Sequence, residues 1–253
     1  MKRNSTLLMM GLALLVAAPA SRLLAADELP KGDAIVDKYV EVTGGKAAYD
    51  KIHTMVTTGT MTFAAMGLKA NVTTYHAEPN KTYTEIEIPG IGKMQDGNDG
   101  KVAWSLSAMQ GPHVKDGDEK DQAMREADFN GDVNWRKNYK EARTEGKEDV
   151  DGKECYKVVM TPNTGKPSTR YYDTKTNLLV KVAMTAKTPM GEIAVESMID
   201  DYRKEGDILM PHKTTLKQGG QQFTVSIDTV KLNAEIPAGK FDPPEEIQAV
   251  LKK

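Results

Sequence analysis

The stretch Thr54-Met55-Val56-Thr57-Thr58-Gly59-Thr60-Met61-Thr62-Phe63, followed by Ala64-Ala65-Met66-Gly67 and Leu68-Lys69-Ala70-Asn71-Val72-Thr73, decides how this chain folds. Its period is two. Met55, Met61 and Phe63 alternate with Val56, Thr58, Thr60 and Thr62, and Leu68, Ala70 and Val72 alternate with Lys69, Asn71 and Thr73. Side chains of a strand point to opposite faces in turn, so this pattern predicts two strands with one face turned away from water. Residues 64–67 are too few for anything but a hairpin, which makes the pair antiparallel.

The same period continues outward. Residues 81–88 read as a third strand, ended by Pro89-Gly90, and residues 91–95 as a short fourth. The dense turn signal Asp96-Gly97-Asn98-Asp99-Gly100 follows, and Val102, Trp104 and Leu106 then alternate with polar or small residues. Past Gly146 the strands return around Tyr156, Val158 and Met160, then over 169–172, 178–186, around Ile193, Val195 and Ile199, over 208–216, and around Phe223, Val225 and Ile227. Helical spacing is confined to a few places. Ile35, Val36, Tyr39 and Val40 follow Asp33, a candidate N-cap, and residues 46–52 follow Gly44-Gly45. Residues 118–129 and 133–142 read as a central pair, and 245–251 as a short C-terminal helix after a Pro-rich tail. Residues 111–117 read as a polar loop.

Ten or eleven strands joined by tight turns, without crossover helices between them, define an α+β fold built on an antiparallel sheet and argue against a doubly wound parallel one. A sheet of that width curls, and its apolar face must be covered. The candidate cover is the N-terminal helix pair with the central pair. No repeat or linker divides residues 27–253, so a single domain is expected there.

Residues 1–26 read as an export signal rather than as part of the fold. Lys2 and Arg3 precede an uncharged, mostly apolar run of about a dozen residues, and small residues follow at Ala18-Pro19-Ala20 and Ala25-Ala26. The run is shorter than the roughly 20 apolar residues that span a bilayer. Cleavage is expected after Ala20 or Ala26, which delivers a soluble chain to the periplasm. Losing Lys2, Arg3 and Arg22 takes the net charge from −2 to about −5. A charge of that sign, with a pI near 6.1, excludes a general nucleic-acid binder.

Catalytic and metal motifs are missing from the sequence. The four histidines, His53, His76, His113 and His212, have no paired spacing, and neither H-E-x-x-H nor G-x-S-x-G occurs. Asp128, Asn130 and Asp132 begin like a calcium loop, but Val133 replaces the needed glycine and Tyr139 the closing glutamate, so the segment reads as a turn. The single Cys155 lies in a strand pattern and reads as a small buried apolar residue. No catalytic residue, metal ligand or cofactor is therefore assigned, and the protein is expected not to be an enzyme.

Ile35-Val36-Asp37-Lys38-Tyr39, Thr43-Gly44-Gly45, Gly152-Lys153-Glu154-Cys155-Tyr156-Lys157-Val158, Tyr171-Tyr172-Asp173 and Asn177-Leu178-Leu179 run in an order that continues through Tyr202, Gly206, Ile208 and Met210-Pro211 to Val230, Asn233, Ile236-Pro237, Phe241 and Pro243. In this the chain resembles the periplasmic outer-membrane lipoprotein-sorting, or lipoprotein-carrier (LolA-like), family. The resemblance implies a strongly curved antiparallel sheet, an incomplete β-barrel, with helices as a lid over an apolar cavity that holds acyl chains of lipids or lipoproteins. It also implies a basic residue inside that helps to hold the lid closed, although the strand around Val72 carries no Arg in a matching place.

The apolar parity of the strands supplies candidates for the cavity wall. They are Met55, Met61, Phe63, Leu68, Val72 and Ile86 in the first half, then Trp104 and Leu106, and Met160, Val182, Met184, Val195, Phe223 and Val225 in the second. Methionine is flexible and polarizable and suits surfaces that fit varied apolar partners, but it fills cores equally well. The leading expectation is a carrier or binder of lipid or lipidated protein, monomeric, with a possible inner- or outer-membrane partner protein. The alternative is a protein-interaction or sensory module of the same fold, acting with an envelope membrane protein and carrying no lipid.

Overall fold

The computed structural model describes residues 28–188 and 191–252. The expected export signal and its cleavage site lie outside the described residues. Two helices come first, α1 (Gly32–Val42) and α2 (Lys46–Tyr49). Six strands follow: β1 (Thr54–Phe63), β2 (Leu68–Ala77), β3 (Lys81–Ile88), β4 (Gly92–Asn98), β5 (Ala103–Ser107) and β6 (Gly111–Val114). The chain then crosses through α3 (Gly117–Glu126) and a single turn, α4 (Trp135–Asn138). Seven more strands complete the sheet: β7 (Tyr139–Val150), β8 (Lys153–Pro162), β9 (Ser168–Asp173), β10 (Leu179–Thr188), β11 (Gly191–Glu205), β12 (Ile208–Gln218) and β13 (Gln221–Leu232). A last helix, α5, spans Glu245–Leu251.

All thirteen strands belong to one antiparallel sheet in the order β6-β5-β4-β3-β2-β1-β13-β12-β11-β10-β9-β8-β7. The β1–β2 register pairs Met61 with Ala70 and Phe63 with Leu68, and a short helical turn at Ala64–Met66 makes the hairpin. The fold is therefore the curved, open α+β sheet expected, with two more strands than the sequence pattern gave. Both additions are the edges. β7 was hidden because residues 133–142 carry a helical spacing and the rest of the strand is densely charged; the helix there shrinks to α4. From Tyr139 onward the backbone pairs with β8, and an edge strand tolerates Lys and Glu because its outer flank faces water. β6 falls where the sequence pattern predicts a polar loop, and Pro112 fits it because an edge strand need not donate every N–H. β4 also runs on to Asn98, through what reads as a turn. Helix α1 starts one residue before Asp33, which sits in its first turn rather than at its cap.

The register places residues of equal parity on one face across the whole sheet. Val158 pairs with Arg170, Arg170 with Val182, Val182 with Ser197 and Ser197 with Leu216; Leu216 meets Phe223, Phe223 meets Phe63, and Phe63 meets Leu68. This face is concave. Met55 and His76 on β1 and β2 line the same cavity as Arg170, Val182 and Met184 on β9 and β10, although three or more strands lie between them in the sheet.

Helix α1 and Trp135 fill one end of the concavity. Ile35, Val36 and Tyr39 pack on Val158, Met160, Tyr172 and Leu179, and all of these are buried. Each such side chain removed from water contributes about 1.5–3 kcal/mol. Trp135 Nε1 donates to Asp37 Oδ1 at 3.0 Å, and Arg136 grips both Asp37 oxygens at 2.7 Å, which holds the Asp37 carboxyl below its usual range. On the convex side, Ile247 of α5 and Phe241 of the preceding tail cover Tyr83, Trp104 and Leu106.

Candidate functional site

Between the helical cover and the sheet lies a cavity of about 400 Å³. Its floor is the concave face, with Met55, Leu179, Val182 and Met184. Its roof is the segment 117–133, which brings Asp118, Gln122, Arg125, Phe129 and Asp132. A second cavity of about 210 Å³ continues along the sheet, lined by Met55, Val72, Met210, Val225 and Ile227 with Thr57, Thr74 and His76. The two abut at Met55 and His76, which border both. Burial pushes the His76 imidazole down to about 4, so it stands neutral between the cavities, with its ring edge against Phe129 at 6.3 Å between centroids. Together the cavities have the size of a small-molecule site, apolar below and polar above.

The roof is strapped across the opening. Helix α3 touches β5 on one flank and β10 on the other. Arg125 Nη1 donates to the carbonyl of Thr164 in the β8–β9 turn at 2.9 Å, and the Phe129 N–H donates to the carbonyl of Pro79 in the β2–β3 turn at 3.1 Å. Asp128 accepts from Asn138 Nδ2 at 2.6 Å and pairs with Lys137 at 3.3 Å. Beneath the strap, Arg170 on β9 reaches up from the concave face. Its Nη1 donates to Asp132 Oδ1 at 2.9 Å, its Nη2 donates to the Tyr139 hydroxyl at 3.2 Å, and its guanidinium lies 5.3 Å from the Tyr139 ring centre. Arg170 is a basic residue inside the cavity that ties the roof to the floor. No local signal marks it, since it is one Arg within the strand Ser168–Asp173 and its partner lies in a segment that reads only as a turn.

The wall candidates divide as follows. Met55, Met61, Phe63, Leu68, Val72 and Ile86 share the concave face, and Met61 and Val72 are buried against Ala70 and Ile88 with Phe223 and Val225 beside them. Val182, Met184 and Val195 continue this face on β10 and β11. Met160 is on it as well, but is fully buried under α1 and belongs to the packed end. Trp104 and Leu106 do not face the cavity. Their parity on β5 places them opposite Gly97 and Gln95, on the convex side beneath α5. The apolar parity misleads there because this part of the sheet is covered on both faces, so apolar residues no longer mark the inside. Cys155 also sits on the convex side, packed with Val150, Tyr171 and Val180, and burial raises its thiol to about 11.

No helix among the described residues is long and apolar enough to cross a membrane. No family model matches the sequence, and no curated protein matches it. Solved structures do match. A LolA superfamily protein from Nitrosomonas europaea aligns with a TM-score of 0.57 at 11% identity, covering 85% of this chain and 99% of that one. A DUF1329 family protein from Desulfovibrio piger gives 0.56 at 15%, covering 85% and 98%. An outer membrane lipoprotein-sorting protein domain from Vibrio parahaemolyticus gives 0.55 at 11%, covering 88% and 98%. The chain has the LolA-like fold.

Proposed function

We propose that this protein is an exported, periplasmic carrier or binding protein for lipid or lipidated protein, and that an acyl chain lies along the concave face under the strap 117–133. The observation that carries this reading is the pair of abutting cavities, apolar on the sheet side and polar on the roof side, where Arg170 joins the two. Each buried CH₂ is worth about 0.8 kcal/mol, so one long chain supplies on the order of 10 kcal/mol before the costs of association. A roof held by a few polar ties can yield and let the cargo leave. The LolA-like fold supports the same reading.

The test is uptake of a fluorescent fatty-acid analogue. Val182→Asp and Met184→Asp, which line the cavity, are expected to weaken uptake at least about tenfold, because a carboxylate beside the chain would have to be desolvated. Lys69→Asp, on the exposed outer parity of β2, is expected to leave it unchanged. Circular dichroism establishes that each variant is folded. Equal effects from inward and outward substitutions would refute the assignment of the cavity as the binding site.

A further inference from the structure

We propose that the hairpin-tip end of the half-barrel is a docking edge for a lipid bilayer with anionic headgroups. The antiparallel order sends the β1–β2, β3–β4 and β5–β6 turns to the same end of the sheet, level with the turn between β12 and β13. Each of the three turns carries a large apolar side chain in water: Met66 is 56% exposed, Ile91 47% and Met109 80%. Met94, the third residue of β4, is 40% exposed. Among the described residues only Leu29 and Leu251 are comparable apolar exposures elsewhere. Three separate hairpins each spending an apolar side chain on solvent, at one end, is not what folding alone selects.

Two further observations say what the tips meet. The apolar floor runs out to them, since Phe63 and Phe223 pair across β1 and β13 directly below the 64–67 turn with ring centres 5.9 Å apart, and Phe63 pairs with Leu68 on its other side. The charge balance of this end is also positive. The strand ends and turns at 63–69, 87–94, 107–111 and 217–222, with the strand ends at 187–188 and 191–192, carry Lys69, Lys93, Lys187 and Lys217 against Glu87 and Glu192, in a chain whose net charge is −2. Glu192 is neutralised by Lys166 at 2.5 Å and Lys93 by Glu85 at 3.0 Å, which leaves Lys69, Lys187 and Lys217 against Glu87. Apolar tips ringed by lysines suit the boundary of a bilayer, where the tips enter the acyl region and the ammonium groups stay with phosphate. Tips on separate hairpins present no continuous flat patch for a protein surface, whereas a fluid lipid surface accommodates each one independently.

The proposal does not depend on cargo in the cavity, so the two can fail separately. Co-sedimentation of the full chain with phosphatidylcholine vesicles, and with vesicles containing about one-third phosphatidylglycerol, reads docking directly. The wild type is expected to bind the anionic vesicles more tightly, and less so as salt rises. The triple variant Met66→Ser, Ile91→Ser, Met109→Ser is expected to lose at least about tenfold in vesicle affinity while its uptake of a monomeric fatty probe is unchanged. Leu251→Ser on α5 is expected to bind vesicles like the wild type. Lys69→Gln combined with Lys187→Gln and Lys217→Gln is expected to remove the preference for anionic lipid. A triple serine variant that binds vesicles as well as the wild type, or a wild type that binds no vesicles and only membrane protein, would overturn the proposal. Either result with probe uptake intact would leave the carrier reading standing, whereas vesicle binding without probe uptake would remove the carrier reading alone.

Discussion

Replacing Trp104 by alanine is expected to destabilise the protein by about 3–5 kcal/mol and to lower its melting temperature by roughly 10 °C, without weakening the hold of the folded protein on a fatty probe. The indole is fully buried, its centre 6.1 Å from that of Tyr83, with Ile247 of α5 packed against both. Gly97 opposite it on β4 is required by close approach, since a β-carbon there would run into the indole ring. The indole N–H has no hydrogen-bond partner, so what Trp104 contributes is packing. Trp104→Phe should therefore cost clearly less than Trp104→Ala, because it keeps most of the buried surface and removes an unpaired donor. Thermal denaturation followed by circular dichroism, with probe titration below the transition, separates the two effects. Loss of uptake without loss of stability would return Trp104 to the cavity wall and contradict the assignment of the faces.

Arg170→Leu is expected to speed release of a bound fatty probe about tenfold, which corresponds to about 1.4 kcal/mol of lost restraint on the roof. The stability cost should be modest, about 1–2 kcal/mol. The guanidinium is nearly enclosed, with 12% of the side chain exposed, but Asp132 is 46% exposed and can turn to water once its partner has gone. Arg170→Lys should fall between, since an ammonium can pair with Asp132 but cannot also bridge to the Tyr139 hydroxyl in the same plane. Asp132→Asn should act in the same direction as Arg170→Leu, and the double variant should be no worse than the single Arg170→Leu if both report one tie. Stopped-flow displacement of the probe measures this. An unchanged or slower release rate in Arg170→Leu would show that the tie does not gate the cavity.

How far the sequence could be read follows from where each signal came from. Strands exposed on one face and buried on the other announce themselves by alternation, and residues 54–73 specify β1, β2, their hairpin and their inward face. Edge strands lose that signal. β7, with Lys140, Glu141, Arg143, Glu145, Lys147, Glu148 and Asp149, satisfies its hydrogen bonds on one flank only and selects charge rather than alternation. Where a distant segment covers the outer face, alternation persists but loses its direction. Nothing near Val102, Trp104 and Leu106 states that Ile247 packs there. The strap is the least legible part. Asp128, Asn130 and Asp132 resemble an incomplete cation loop, and what they do depends on Asn138, Lys137 and Arg170, which only the fold brings to them. Composition alone left open whether the methionines fill a core or line a space. Met160 is fully buried beneath α1, whereas Met55 and Met184 border open volume.

Native mass spectrometry of the full chain, expressed with export and purified from the periplasm without detergent, decides whether the concave face carries an acyl chain. A population heavier than the mature chain by one acyl-bearing lipid is expected, lost on organic extraction and restored on mixing with a long-chain fatty acid. A uniform apo mass, together with no adduct after exposure to fatty acid, phospholipid or acylated peptide, would contradict the carrier reading.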